Sequence, residues 1–342
     1  MVSSSKFIMV SSTKIRLASR AYDGVLPILR GQMSIPGFDF AITETEDVPG
    51  MFAGMFKGEY DVSEMSLGEL IYYTSRDKAD FIAIPVFPSR MFPHGFIFCR
   101  KDSGIDKPSD LSGRKIGFLR WVQTAAIWMR GMLVDEYGVS VKDSQWYVAS
   151  MHHWDGHDPG ATVEPGDGSV IRMIENSGKN TSERACRALF DGQVDALGVT
   201  ESQLATLLAN DSVKKLFENS MEVEASYFRN TKILPIMHVL ALQKRLVDRY
   251  PELPVQLFQL YREAKRWAQR WRRTIPSLVE AWPNHYLTEE QSLFQSDPWA
   301  YGLAANRHGL DKFFAYCHAQ GVSGRTIAPE DIFHPSTHAL NE

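Results

Sequence analysis

Any chemistry in this chain must come from scattered side chains, because no compact catalytic signature is present. There is no GxGxxG, no P-loop, no GxSxG nucleophile turn and no HExxH. The segment VFPSRMFPHG (86–95) is the most pointed. Arg90 follows an apolar run between Pro88 and Pro93, and a planar guanidinium there can hold a carboxylate in bidentate fashion. His94 lies four residues further on. A second anion site is the start of a predicted helix over 123–137, where Gln123 and Thr124 offer side chains and free N–H groups to an oxyanion. His238 sits alone inside ILPIMHVLAL (233–242), a setting in which a histidine is more often a satisfied core residue than an acid or base. HHWDGHD (152–158) has the density of a metal-ligand set, with three His and two Asp in seven residues. Its Gly- and Pro-rich surroundings, with no helix to fix the spacing, favour a surface loop.

The elements that must position these groups alternate. KIRLAS (14–19), FDFAITE (38–44), YDVSEMS (60–66) and FIAIPVF (81–87) are predicted strands, and PGMFAGMFKGE (49–59) between them is a predicted helix. That rhythm gives an α/β unit with mainly parallel pairing. Such sheets bind ligands at strand C-termini, where Glu64, Ser66, Ser89 and Arg90 fall. Each of these alone reads equally well as a cap or loop residue. A second unit starts near Gly95, and ILPIMHVLAL returns to the first. The expected organisation is lobe 1 from 14–94 and 235–342, lobe 2 from 95–234, and a flexible lead over 1–13. Discontinuous lobes joined by crossovers leave a cleft between them, a favoured small-molecule site. The predicted helix over 252–273 has an apolar face ending in the Trp267/Trp271 pair, which reads as core. Its other face carries Arg262, Lys265, Arg266 and Arg270, which reads as solvated.

Composition narrows the classes. The chain has 342 residues and 37 Lys+Arg against 41 Asp+Glu, a net charge of −4 that excludes a generally basic nucleic-acid binder. No run reaches the ~18 apolar residues of a membrane span. Cys99, Cys186 and Cys317 are too sparse for a disulfide framework or a Cys-based zinc site. The apolar stretch at 7–10 is shorter than the about 7–15 residues of a secretory signal, so a cytoplasmic location is expected.

Several blocks in the same order carry a resemblance: AYDGVLPIL (21–29), DVSEMS (61–66), IPVFPSRMF (84–92), TAAIWMRGMLVDEYGV (124–139), ILPIMH (233–238) and DPWAYGLAANR (297–307). Over about residues 14–335 the chain resembles the 4,5-dihydroxyphthalate decarboxylases. These are relatives of type II periplasmic binding proteins and of thiamine-pyrimidine synthesis proteins. Family members tend to have Arg-His after the PSR-x-F block, whereas here Pro93 precedes His94. The resemblance implies an α/β, two-lobed type II periplasmic-binding-protein-like fold with a ligand cleft. It implies a homo-oligomer acting on a small aromatic carboxylate with no organic cofactor, no nucleic acid and no membrane.

On that basis Arg90, helped by Ser89 and Thr124, is expected to clamp a carboxylate. His94 or His238 is expected to give the proton to the ring carbon. Asp23 and Glu64 are expected to orient or deprotonate the hydroxyls, and Tyr22 to stack or donate a hydrogen bond. Ser66 is a further substrate contact, and Arg130 is either a second anion contact or the partner of a neighbouring acid. The competing expectations are a non-catalytic solute-binding protein, an enzyme of pyrimidine-precursor synthesis, and a metal-assisted decarboxylase with HHWDGHD as ligand source.

Overall fold

A computed structural model describes residues 12–151, 165, 168–175, 178–274 and 281–342. The fold begins with an alternation of β1 (Thr13–Ser19), α1 (Leu26–Leu29), β2 (Phe38–Glu44), α2 (Val48–Phe56), β3 (Val62–Ser66), α3 (Leu67–Thr74) and β4 (Phe81–Arg90). The middle carries β5 (Ile97–Arg100), β6 (Lys115–Phe118), α4 (Thr124–Asp135), β7 (Gln145–Val148) and β8 (Ile171–Met173). It continues through α5 (Thr181–Phe190), β9 (Ala196–Gly198), α6 (Glu201–Leu208), β10 (Val213–Lys215) and α7 (Ser220–Thr231). The chain closes with β11 (Ile236–Gln243), α8 (Lys244–Arg249), α9 (Leu253–Thr274), α10 (Pro283–Phe294) and α11 (Leu303–Ala319).

Two sheets form among the described residues. The first has the order β2-β1-β3-β11-β4 and the second β10-β5-β9-β6-β7-β8. Pairing is more mixed than the alternating rhythm predicts. β1 is parallel to β2 and β3, but β11 re-enters between β3 and β4 antiparallel to both. In the second sheet β5 is antiparallel to both its neighbours, β9 and β10. Thr13 already belongs to β1, so only residues 1–11 of the expected lead lie outside the described residues.

One hydrophobic core runs through both sheets, and a smaller cluster packs α5 against the second sheet. α4 ties the lobes together. It follows a strand of the second sheet, yet its Trp128 stacks on Phe313 of α11, and the indole N–H donates to the Ile236 carbonyl of β11 at 3.0 Å. Gly131 permits that packing, since a Cβ there would meet the Tyr316 ring at 2.4 Å.

Two expectations for α9 are corrected. Lys265 is buried, and its ammonium pairs with Asp297 and Glu342. Trp271 stacks on Trp267 but is 47% exposed, because the end of α9 runs past the core.

Candidate active site

Pro85 and Pro88 cannot donate to a strand ladder, and β4 slips register around them. The pairing jumps from Ile84↔Leu240 to Ser89↔His238. On its other edge β11 sets His238 opposite Ser66 and Leu240 opposite Glu64. His238 and Glu64 are therefore diagonal neighbours on one face of the sheet. Their side chains meet, with His238 Nδ1 3.1 Å from Glu64 Oε2.

Glu64 is fully buried and its carboxylate is well satisfied. Oε1 accepts from the Ser19 hydroxyl and from the Arg20 backbone N–H, both at 2.8 Å. A buried carboxylate held this way is costly to disturb. It fixes the imidazole with Nδ1 inward. Among the described residues Nε2 has no protein partner, and His238 lines an open cavity. Phe52 lies edge-on to the ring at 5.1 Å between centroids.

The cavity, about 390 Å³, is the interlobe cleft. Five helices begin on its wall. They contribute Val48 and Pro49 of α2, the α3 cap Ser66, Gln123 and Thr124 of α4, Asn180 and Thr181 of α5, and Thr200 and Glu201 of α6. Each helix start carries a partial positive charge, so their convergence makes the cleft attractive to anions. Ser66 Oγ and Thr124 Oγ1 are 2.8 Å apart, which fastens the starts of α3 and α4 together. Gly68 allows the approach, as a Cβ there would lie 2.5 Å from the Val122 carbonyl oxygen. Two cations, Arg20 and Arg120, line the same space. Burial lowers the Arg120 pKa, and the Glu69 carboxylate opposes that shift. Met91, Leu119 and Met237 supply apolar wall for a ring.

The family described as "ABC transporter, phosphonate, periplasmic substrate-binding protein" matches residues 7–225. A 4,5-dihydroxyphthalate decarboxylase of Comamonas testosteroni is 29% identical over 337 residues, covering 96% of this chain and 98% of that protein. One of Pseudomonas putida is 32% identical over 224 residues, covering 65% of this chain and 84% of its own length. The chain belongs to the 4,5-dihydroxyphthalate decarboxylase family. In fold it is similar to the periplasmic aliphatic sulphonate binding protein SsuA from Escherichia coli, with a TM-score of 0.56 and 13% identity, over 96% of this chain and 100% of that one. The alkanesulfonate-binding protein SsuA from Xanthomonas axonopodis pv. citri, bound to MOPS, has a TM-score of 0.53 and 14% identity, over 95% and 99%.

In this decarboxylase-family chain the cleft gathers Ser66, Ser89, Thr124 and His238, with Glu64 directly behind His238. Arg90 is placed elsewhere. β4 runs through Ser89 and Arg90 instead of ending at Phe87, and alternation along a strand turns the two side chains to opposite faces. The Arg90 guanidinium donates to the Asn306 side-chain oxygen at 2.7 Å and to the Ala300 carbonyl at 2.9 Å, and burial pulls its pKa down to about 10.

His94 is also outside the cleft. It is enclosed by Tyr137, Phe217 and Tyr227, fully buried, with its pKa pushed down to about 4 by burial. Arg130 points into the protein, where it donates to the Trp121 carbonyl at 2.6 Å and to Gln320 at 2.8 Å. Asp23 is exposed in a turn, accepting from the Gly24 N–H at 2.7 Å, and does not line the cleft. Tyr22 is not a cleft-lining residue either. Its hydroxyl is raised in pKa by burial and by the Glu64 charge.

Sequence reasoning missed Arg20, Arg120 and the polar wall of Asn180, Ser182 and Gln203. Arg20 and Arg120 fall one and two residues past the ends of β1 and β6, the strand-end signal that marked Glu64 and Ser66.

Among the described residues no three His, Cys, Asp or Glu side chains form a metal-binding group. The HHWDGHD run lies outside the described residues. No helix among the described residues is long and apolar enough to cross a membrane.

Proposed function

We propose that this protein decarboxylates a hydroxylated aromatic dicarboxylate, 4,5-dihydroxyphthalate, to 3,4-dihydroxybenzoate and CO2. The observation that carries the reading is the Glu64–His238 pair, which presents one ring nitrogen to a cleft whose wall is built from helix starts and two arginines. Each hydroxyl of this substrate is para to one carboxylate, so its electrons raise the basicity of the ring carbon that bears the carboxylate. Protonated His238 gives its Nε2 proton to that carbon. The carbon–carboxylate bond then breaks, its electron pair restores the aromatic ring, and CO2 leaves. His238 regains a proton from solvent. The Glu64 carboxylate stabilises the imidazolium before transfer and keeps Nε2 aimed at the cleft.

Arg120 and the start of α4 hold the retained carboxylate, and Ser66 and Ser89 hydrogen-bond the ring hydroxyls. Asp23, Arg90 and His94 have no place in this scheme. Every step uses this chain's own groups, so no organic cofactor and no metal belongs to the proposal. Metal analysis of active protein tests that part, and stoichiometric metal required for turnover would end it.

The proposal also includes a cytoplasmic setting, in keeping with three buried free thiols, Cys99, Cys186 and Cys317. A homo-oligomer belongs to the same reading, and light scattering at the 38.7 kDa monomer mass would remove it.

The deciding experiment is incubation of purified protein with 4,5-dihydroxyphthalate, following CO2 and 3,4-dihydroxybenzoate. Turnover is expected, with no CO2 from phthalate, which lacks the hydroxyls. Saturable binding of 4,5-dihydroxyphthalate without CO2 would replace the proposal by a non-catalytic aromatic-acid binding protein.

A further inference from the structure

Arg20 has two roles that meet at one residue. Its backbone N–H donates to Glu64 Oε1 at 2.8 Å, so it helps to hold the carboxylate that orients His238. Its side chain lies on the rim of the cleft, where it is shared by two acids. Nη2 donates to Glu46 at 2.9 Å, on the same lobe. Nη1 donates to Glu201 Oε2 at 3.2 Å, and Glu201 is the first residue of α6 on the opposite lobe. Both Arg20 and Glu201 line the cleft.

We propose that Arg20 reads the second carboxylate of a dicarboxylate ligand, and that Glu201 is an internal carboxylate which the ligand displaces. The inference rests on the proposed aromatic dicarboxylate substrate. Glu201 already makes the contact that a ligand carboxylate would make, a charge-assisted bond to Nη1. Its side chain is 59% exposed and that of Arg20 26% exposed, and exposed ion pairs are weak, so exchange costs little. A released Glu201 returns to water while staying at the positive end of α6, where a carboxylate remains favourable. Glu46 keeps its own bond to Nη2 throughout, which leaves Nη1 as the site of exchange. A ring with one carboxylate satisfies Arg120 and the start of α4 and leaves the Arg20–Glu201 bridge closed. A ring with two must open it. Glu201 therefore lowers affinity for dicarboxylates selectively.

The test is calorimetric binding of phthalate and of benzoate to the full-length protein. Neither ligand carries the hydroxyls needed for turnover. Relative to wild type, Glu201→Gln is expected to tighten phthalate by up to about fivefold, the equivalent of about 1 kcal/mol, with benzoate unchanged. Arg20→Gln is expected to move the phthalate-to-benzoate ratio the other way. Because the readout is a ratio, a variant that loses affinity for both ligands through poor folding does not imitate the effect. An unchanged ratio in Glu201→Gln overturns the inference, as does equal loss of both ligands in Arg20→Gln. The expected ratio shifts without CO2 from 4,5-dihydroxyphthalate would keep the gate and overturn the decarboxylase reading. Turnover with unshifted ratios would do the reverse.

Discussion

Replacing Glu64 by Gln separates an oriented acid from a histidine that merely lines a cleft. The amide keeps the volume, and its oxygen can still accept from the Ser19 hydroxyl and the Arg20 N–H. Its NH2 group then faces His238 Nδ1, where a carboxylate oxygen stood 3.1 Å away. Nδ1 must become an acceptor, so the ring can no longer carry protons on both nitrogens without setting two N–H groups against each other. The imidazolium, which is the acid form, loses its partner. A hydrogen bond to a charged group is worth about 1.5–3 kcal/mol, which corresponds to a fall in kcat of about tenfold to 150-fold. KM is expected to change little, because the carboxylates are held by other residues. The assay is steady-state CO2 release, with thermal melting to show that the variant folds. The double variant Glu64→Gln/His238→Asn is expected to be no slower than His238→Asn alone, since the carboxylate acts only through the imidazole. A folded Glu64→Gln with kcat within about twofold of wild type would refute the reasoning, as would losses that add in the double variant.

Three further outcomes follow from the placement of the other ionisable groups. Arg120→Gln removes a charged carboxylate anchor and is expected to raise KM by about tenfold to 150-fold, and also to lower stability because the buried Glu69 carboxylate loses its nearby cation; an unchanged KM would move the anchor elsewhere. Arg90→Met is expected to lower stability to urea by about 1–3 kcal/mol, through the lost bonds to Ala300 and Asn306, and to leave KM alone. A large KM effect at wild-type stability would return Arg90 to the site. His94 titrates near 4 when folded against about 6.5 when unfolded, so the unfolded chain binds the extra proton first as pH falls. Wild type is therefore expected to lose about 3 kcal/mol of stability between pH 6.5 and pH 4, with none of this effect above pH 7. His94→Phe is expected to lack that component in urea melts at pH 7 and pH 4.5 while retaining activity, and an equal loss in both proteins would contradict it.

Local pattern was enough for much of the architecture. Alternation in KIRLAS and the apolar spacing of the 123–137 segment are properties of neighbouring residues, and both elements form close to where the pattern puts them, as β1 and α4. The ordered blocks from AYDGVLPIL to DPWAYGLAANR were likewise enough to point to the family. The site was legible only in part. Ser66 and Thr124 stand at a strand end and a helix start, positions that chain-local rules can find. What those rules could not supply was direction. Arg90 reads as a clamp by type and position, but the slip at Pro85 and Pro88 extends β4 and turns its side chain away from the cleft. His238 reads as a core residue in its own strand. Its pairing with Glu64 exists only because β11 returns, 174 residues later, to lie antiparallel between β3 and β4. Arg20 and Glu201 are 181 residues apart and meet only where the two lobes face each other. Sequence spacing fixes which residues share a helix face or a strand face. Which faces then meet is decided by long-range strand pairing and by the closing of one lobe on the other, and the chemistry of this cleft is made at those meetings.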